Sequence, residues 1–315
     1  MRIMPKRDTG SKAVRGMRSR KRTEAAVCYA MIAPQLIGFF LLTLYPILWT
    51  FRWSFYSYNG IPSYTRFIGL ENFKTMFTTD FTYWKMWGQT ILFVVAKVPL
   101  EIIFSMILAL ILSRGLKGSN FFRTAYYMPV VISTVIVGVM FSNMFSYFGW
   151  VNGILNKLGM ESVDWFANRW TALAVLVISS IWNTFGTNVM YFLAALTNVP
   201  KELYECAKLD GASPAKTFFK ITLPMIASMF QVILLLSLLG TLSVNEAILA
   251  LTGGGPTGQT YTIMSYLTKQ FVPGFTESTN PALGYGCAMS LVTTVLFAII
   301  GILYNQLSKK KNDVI

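Results

Sequence analysis

The chain reads as an all-α membrane protein of six transmembrane helices. Both termini are cytoplasmic, and a pair of short capped helices lies on that side between spans four and five. Three observations predict it. Hydrophobic residues make up 54% of the 315 and charged residues only 13%, about half of the roughly 25% typical of soluble domains. Apolar runs of the ~20 residues needed to cross a bilayer fall at 27–50, 88–112, 126–148, 171–197, 225–250 and 283–307. Between the fourth and fifth stands a polar stretch, Glu202 to Pro224 (ELYECAKLDGASPAKTFFKITLP), built from helix start and stop signals.

The elements follow in order. Residues 1–26 form a strongly basic tail, expected to be disordered and held near anionic lipid. It resembles the basic start of a signal peptide, but the apolar run after it is too long and no small-residue cleavage site follows. Spans 27–50, 126–148, 171–197 and 283–307 carry no charge; the second holds Lys97 and Glu101, one turn apart with Pro99 between, and the fifth holds Glu246. Residues 27–307 thus make one permeating domain, with 198–224 as its polar loop and 308–315 as a cytoplasmic tail.

Lysine and arginine set the direction of insertion, because cytoplasmic connections retain positive charge. The N-terminal tail, the second and fourth connections and the C-terminus carry 19 basic residues; the alternate side carries 7. The net charge of +14 is therefore membrane orientation, and no nucleic-acid partner is expected. Histidine is absent, which removes imidazole acid–base chemistry and histidine metal ligands. Cys28, Cys206 and Cys287 stand singly without CxxC spacing and read as small apolar fillers.

In the polar stretch one helix ends at Asp210-Gly211, where glycine suits the residue past a helix end. A second opens at Ser213-Pro214, where serine caps and proline fits the first turn. An amphipathic linker lying among headgroups is one reading; a rigid helix pair displayed for a partner is the other. The residues decide between them. Glu205-Cys206-Ala207, Gly211-Ala212, Ile221, Leu223 and Pro224 stand at the spacing of the EAA loop, with Cys206 where its first alanine usually sits.

The stretch resembles the loop by which membrane subunits of ATP-binding-cassette importers dock on their ATPase. Further motifs resemble the maltose-type branch of sugar importer permeases. They are the Ala-Pro start and Tyr-Pro break of the first run (IAPQLIGFFLLTLYPILWTFRWSF), Gly-Leu-x-Asn-Phe in FIGLENFKTMF, and the Gly-Gly-Pro turn of LTGGGPTGQT. Together they cover about residues 29 to 307. The resemblance implies a coupling loop comprising Glu205, Ala207, Asp210, Gly211, Ala212, Ser213, Pro214, Ile221, Leu223 and Pro224. It implies four kinds of partner: a second homologous permease, a dimer of ATPase subunits that bind ATP and Mg, an external solute-binding protein and a sugar. The chain itself has no GxxxxGK[ST] sequence, no catalytic residues and no cofactor of its own.

Polar side chains inside a membrane are costly unless they bond to neighbouring helices or line a pathway. Ser180, Asn183, Thr184, Thr187 and Tyr191 recur at helical spacing on one face of the fourth run, and Ser237, Thr241 and Asn245 do so on the fifth beside Gly240. Interhelical bonding accounts for any one of them; two such faces meeting near the midplane make a substrate path. By the resemblance, Ser237 and Thr241 fall where the maltose-type permease holds sugar. Neutral hydroxyls and amides suit a sugar, and Tyr191 and Trp182 offer rings for stacking. The rival is an ion-coupled secondary carrier that uses Lys97, Glu101 and Glu246. Against it, the Lys97–Glu101 pair reads more simply as a self-neutralising contact inside the bundle or near its outer edge.

Overall fold

The computed structural model describes residues 27–115, 118–271 and 282–312; the basic tail read over 1–26 lies outside them. Among the described residues four helices are long and apolar enough to cross a membrane: α1 (Val27–Trp53), α3 (Phe81–Leu112), α7 (Arg169–Thr197) and the Leu283–Ser308 part of α13 (Leu283–Asn312). Two further helix pairs pass the same test only when each is taken together across a short break. These are α4 (Ser119–Val131) with α5 (Thr134–Met144), bent by 96°, and α9 (Pro214–Met225) with α10 (Ala227–Leu242), bent by 77°. Short helices α2 (Glu71–Thr78), α6 (Trp150–Lys157), α8 (Lys201–Leu209), α11 (Glu246–Leu251) and α12 (Ile263–Phe271) join them. Strands β1 (Tyr56–Ser57) and β2 (Arg66–Phe67) form a small antiparallel ribbon after α1.

Local chemistry explains the ends. Asp80 caps α3 by accepting from the Tyr83 amide at 3.0 Å, and Asn168 caps α7 by accepting from Trp170 at 2.9 Å. Asn72 of the Gly-Leu-x-Asn-Phe element is buried and donates its amide to the Ser54 and Tyr56 carbonyls at 2.8 and 3.2 Å. It fixes the chain's exit from α1.

Several expectations are corrected. The Tyr45-Pro46 pair does not break the first helix. A π-helical turn at Phe40–Leu44 absorbs the missing proline N–H, and the helix continues to Trp53. The third apolar run is not one straight helix, because Ile132 and Ser133 are both extended. The fifth run starts at Ala227 and stops at Leu242; Pro224 belongs to α9, and Asn245 and Glu246 fall beyond the α10 helix. The sixth helix runs on to Asn312, through residues read as a tail. Of the cysteines only Cys287 is buried; Cys28 and Cys206 are exposed and fill nothing.

Helices α3 and α7 form the centre of the bundle. Val98, Ile102, Met106 and Ala109 make one stripe of α3, packed on Val189, Phe192, Leu193 and Leu196 of α7 and Ile233 of α10. A second cluster joins Tyr83, Met86 and Trp87 to Ile263, Leu267 and Met289; a third joins Phe93 to Val137, Phe141, Val175 and Ile248. By contrast α1 exposes Leu36, Ile37, Phe40, Leu41, Leu42, Ile47 and Leu48, a surface compatible with lipid or another apolar helix.

Close approach requires small residues at two crossings. A Cβ on Gly186 of α7 would collide with the Tyr126 carbonyl oxygen of α4, and one on Gly138 of α5 would stand 2.7 Å from the Ala250 Cβ of α11. Gly186→Ala is therefore expected to force α4 from α7 and cost about 1–3 kcal/mol, read as a lower melting temperature of the purified protein. Gly153→Ala in α6, where an added Cβ meets nothing within 4 Å, is the matched control and should be neutral or mildly stabilising.

Candidate functional site

Helices α3, α5, α7, α10, α11 and α12 line a cavity of about 630 Å³ that is open on one side. The eight residues that periodicity selects on the fourth and fifth runs, Ser180, Asn183, Thr184, Thr187, Tyr191, Ser237, Thr241 and Asn245, line it, as does Gly240 beside them. So do Lys97, Glu101 and Glu246. Asn245 reaches the cavity from the break after α10 rather than from the helix face. Trp182 does not line it; it packs on Phe141 at 5.7 Å within the third apolar cluster.

One hydrogen-bond network forms the polar wall. Lys97 Nζ of α3 lies 3.2 Å from Glu101 Oε2 and donates to Thr241 Oγ1 of α10 at 3.2 Å. Glu101 Oε1 accepts from Thr184 Oγ1 at 2.6 Å and from Asn188 Nδ2 at 3.1 Å, both on α7. Asn188 Nδ2 also donates to Ser237 Oγ of α10 at 2.8 Å, and Thr241 Oγ1 donates to the Ser237 carbonyl at 2.6 Å. Lys97 and Glu101 are 4% and 2% exposed, so the pair sits within the bundle and not at its edge. Lipid tails are as apolar as leucine, so such bonds, worth roughly 0.6–2 kcal/mol each, help hold the three helices together.

The polar residues divide by what they bond. Asn183 spends its amide on the bend of the third run, donating to the Pro129 carbonyl at 2.8 Å and accepting from Thr134 Oγ1 at 3.3 Å. It satisfies carbonyls that the broken helix leaves open. Thr187 and Tyr191 have hydroxyls without a partner among the described residues, and Tyr191 is 37% exposed. Asn188 and Ser179 also line the cavity although the sequence reading of the fourth run omits them. Asn188 follows Ser180 and Thr184 at i+4 spacing, and that spacing was the available signal.

The polar loop is folded at the other end of the same core. Gly211 has φ +67°, in the left-handed region that favours glycine. The Ala212 amide donates to the Ala207 carbonyl at 2.9 Å and the Gly211 amide to Lys208 at 3.2 Å, the pairing of a Schellman motif. Ser213 Oγ accepts from the Lys216 amide at 3.3 Å, and Pro214 takes the first helical position. Tyr204 and Thr222 hydroxyls, 3.2 Å apart, clamp α8 to α9. Ala207 is buried, while Glu205, Asp210, Gly211, Ser213, Pro214 and Pro224 are exposed and Ala212, Ile221 and Leu223 half-buried. Tyr204 and Phe218 pack against the α3–α7–α10 cluster, so loop and cavity share one hydrophobic mass.

A bundle of membrane-crossing helices around a polar cavity, with a rigid capped helix pair at one end, is the architecture of a transport subunit. Residues 101–312 match the family described as binding-protein-dependent transport system inner membrane component, and the chain belongs to that family. It is 34% identical to the probable ABC transporter permease protein YesP of Bacillus subtilis, over 92% of this chain and 93% of that one. It is 32% identical to the arabinooligosaccharides transport system permease protein AraP of Halalkalibacterium halodurans, over 92% and 91%. With the trehalose/maltose transport system permease protein MalF of Thermococcus litoralis it shares 31% over 93% and 97%. The fold is also that of a chain in the crystal structure of a bacterial ABC transporter that imports the acidic polysaccharide alginate, with TM-score 0.80, 24% identity and coverage of 92% and 98%. A further crystal structure of similar fold holds the alginate transporter with an alginate pentasaccharide-bound periplasmic protein (TM-score 0.80, 24% identity, coverage 93% and 97%).

Proposed function

We propose that this permease subunit carries a sugar, mono- or oligosaccharide, across the inner membrane as one half of a translocation path, and that a second, homologous permease supplies the other half. The observation that carries the proposal is the cavity itself. Hydroxyls and amides dominate its polar lining, and two helices present them at one level beside Gly240, where no atom lies within 4 Å of an added Cβ. A sugar needs many donors and acceptors and no counter-ion, which this wall supplies. Relatives whose names specify arabinooligosaccharides and trehalose/maltose agree with that class.

In this reading the chain spans the membrane six times with both termini in the cytoplasm, and a separate ATPase dimer binds ATP and Mg and docks on α8 and α9. Exposed Glu205 and Asp210 offer carboxylates to a basic groove. Closure of the dimer displaces α8 and α9. Because Tyr204 and Phe218 pack into the α3–α7–α10 cluster, that displacement reaches the helices that wall the cavity. The cavity then opens alternately to each side, with an external solute-binding protein delivering sugar to the outer one. An ion-coupled carrier is less well supported, since Lys97 and Glu101 are committed to each other and to Thr241, Thr184 and Asn188.

The test is reconstitution. Proteoliposomes holding this chain with its partner permease, ATPase and binding protein should accumulate sugar only with ATP. Sugar uptake by the chain alone under a proton gradient would overturn the proposal. Coupling is tested at Gly211: a β-branched residue at this left-handed position costs on the order of 1–2 kcal/mol, strain that should distort the docked surface. Gly211→Val is expected to lower sugar uptake per ATP hydrolysed at normal subunit abundance; unchanged coupling would remove the loop from the mechanism.

A further inference from the structure

Beside the capped helix pair, the ends of α3 and α7 and one side of α8 and α9 surround a second, open cavity of about 910 Å³. Its lining carries Arg114, just past α3, and Lys201 and Lys208 of α8; among the described residues no carboxylate lines it. All three basic side chains are exposed, and among the described residues none has a hydrogen-bond, ion-pair or ring partner. Lys201, Tyr204 and Lys208 recur at i, i+3 and i+7, which sets them on one face of α8, while Glu202, Glu205 and Asp210 stay out of the cavity. Retention of positive charge on the cytoplasmic side explains why the loop is basic, not why its acids and bases are sorted by face. Nor does helix stability explain Lys201, which opens α8 where the helix dipole disfavours a cation. The lining also holds an apolar ring open to the outside, Phe219, 65% exposed.

We infer that this cavity binds the phosphate of an anionic phospholipid, with Arg114, Lys201 and Lys208 around the headgroup and an acyl chain along Phe219. A phosphodiester brings charged acceptor oxygens to cations that have no acceptor of their own. The cavity lies where two membrane-crossing helices, α3 and α7, end, and basic pockets between helices at the cytoplasmic face suit such headgroups. A soluble phosphate compound would satisfy the same cations but would leave the exposed ring at the site unused. The lipid site is independent of the sugar reading, and its cations do not compete with Glu205 or Asp210, the carboxylates offered to the ATPase. A lipid held there would bridge α8 to the ends of α3 and α7.

The test uses the full chain, purified and delipidated in detergent, with native mass spectrometry reading bound lipid. Phosphatidylglycerol is set against phosphatidylcholine of identical acyl chains, and wild type is expected to retain the anionic lipid about tenfold over the zwitterionic one. Each lysine near a membrane surface contributes about fivefold, so Lys201→Gln with Lys208→Gln should lower phosphatidylglycerol retention about tenfold or more. Lys216→Gln with Lys220→Gln removes the same charge from exposed residues of the same loop that do not line the cavity, and should change retention by no more than about twofold. Phe219→Ser should lower it about threefold. Arg114→Gln, outside the helix pair, repeats the test if the double lysine variant fails to fold. Equal losses from the two lysine pairs, or phosphatidylcholine held as well as phosphatidylglycerol, would reduce the site to diffuse surface charge and overturn the inference. Displacement of phosphatidylglycerol by millimolar inorganic phosphate, with Phe219→Ser retaining lipid as wild type does, would assign the cavity to a soluble phosphate compound and overturn the lipid.

Discussion

Glu101→Ala is expected to destabilise the folded subunit by about 3–5 kcal/mol, the usual cost of stranding one partner of a buried ion pair. Lys97, 4% exposed, would keep Thr241 as its one bonded neighbour, and Thr184 and Asn188 would lose their shared acceptor. Water entering the cavity brings the figure toward the lower end of that range. Thermal melting of the purified complex measures it, and Lys97→Met with Glu101→Leu should recover most of the loss, because both charges then leave together. Near wild-type melting of Glu101→Ala would show that the network does not hold α3, α7 and α10 together. The experiment also separates the transport readings. Loss of uptake in Glu101→Ala that tracks loss of assembled complex fits a structural pair at a sugar site. A fully assembled Glu101→Gln protein that loses an ion-driven uptake would fit the carrier.

Gly240→Trp is expected to lower sugar uptake on the order of a hundredfold, about 2.7 kcal/mol, while assembly and basal ATP hydrolysis by the complex persist. An added Cβ at Gly240 meets nothing within 4 Å, and the residue lines the cavity. The first atom of a side chain there has room, and an indole, with roughly 150–250 Å² of surface, would extend into the space a sugar needs. Gly240→Ala should transport nearly as well as wild type. Uptake measured in proteoliposomes decides it: free transport by Gly240→Trp would move the sugar path away from this cavity.

Much of the loop was legible because its signals are local. A left-handed C′ glycine, a serine cap and a first-turn proline depend on a few neighbouring atoms, and Gly211, Ser213 and Pro214 adopt those conformations. The stripe Ser180–Thr184–Thr187–Tyr191 was equally legible, because helical periodicity places such residues together whatever the helix packs against. Asn183 carries the same spacing, but its amide serves the bend at Ile132–Ser133. Spacing alone does not reveal whether an amide faces a cavity or a broken neighbour.

By itself the sequence determined that the chain enters a membrane, through its apolar runs and scarcity of charge, and that a capped helix pair separates two of those runs. These follow from hydropathy and from backbone preferences, both of which act over short stretches of chain. Only the tertiary structure decided where the runs bend, since a kink survives where another helix meets the freed carbonyls, as Asn183 of α7 does for the third run. It also decided the position of Lys97 and Glu101. Their partners Thr184, Asn188 and Thr241 lie 83, 87 and 144 residues away. A contact between residues so far apart arises only when three helices pack, and no periodicity within one helix encodes it. Packing turned an isolated i,i+4 charge pair into the polar wall of the cavity.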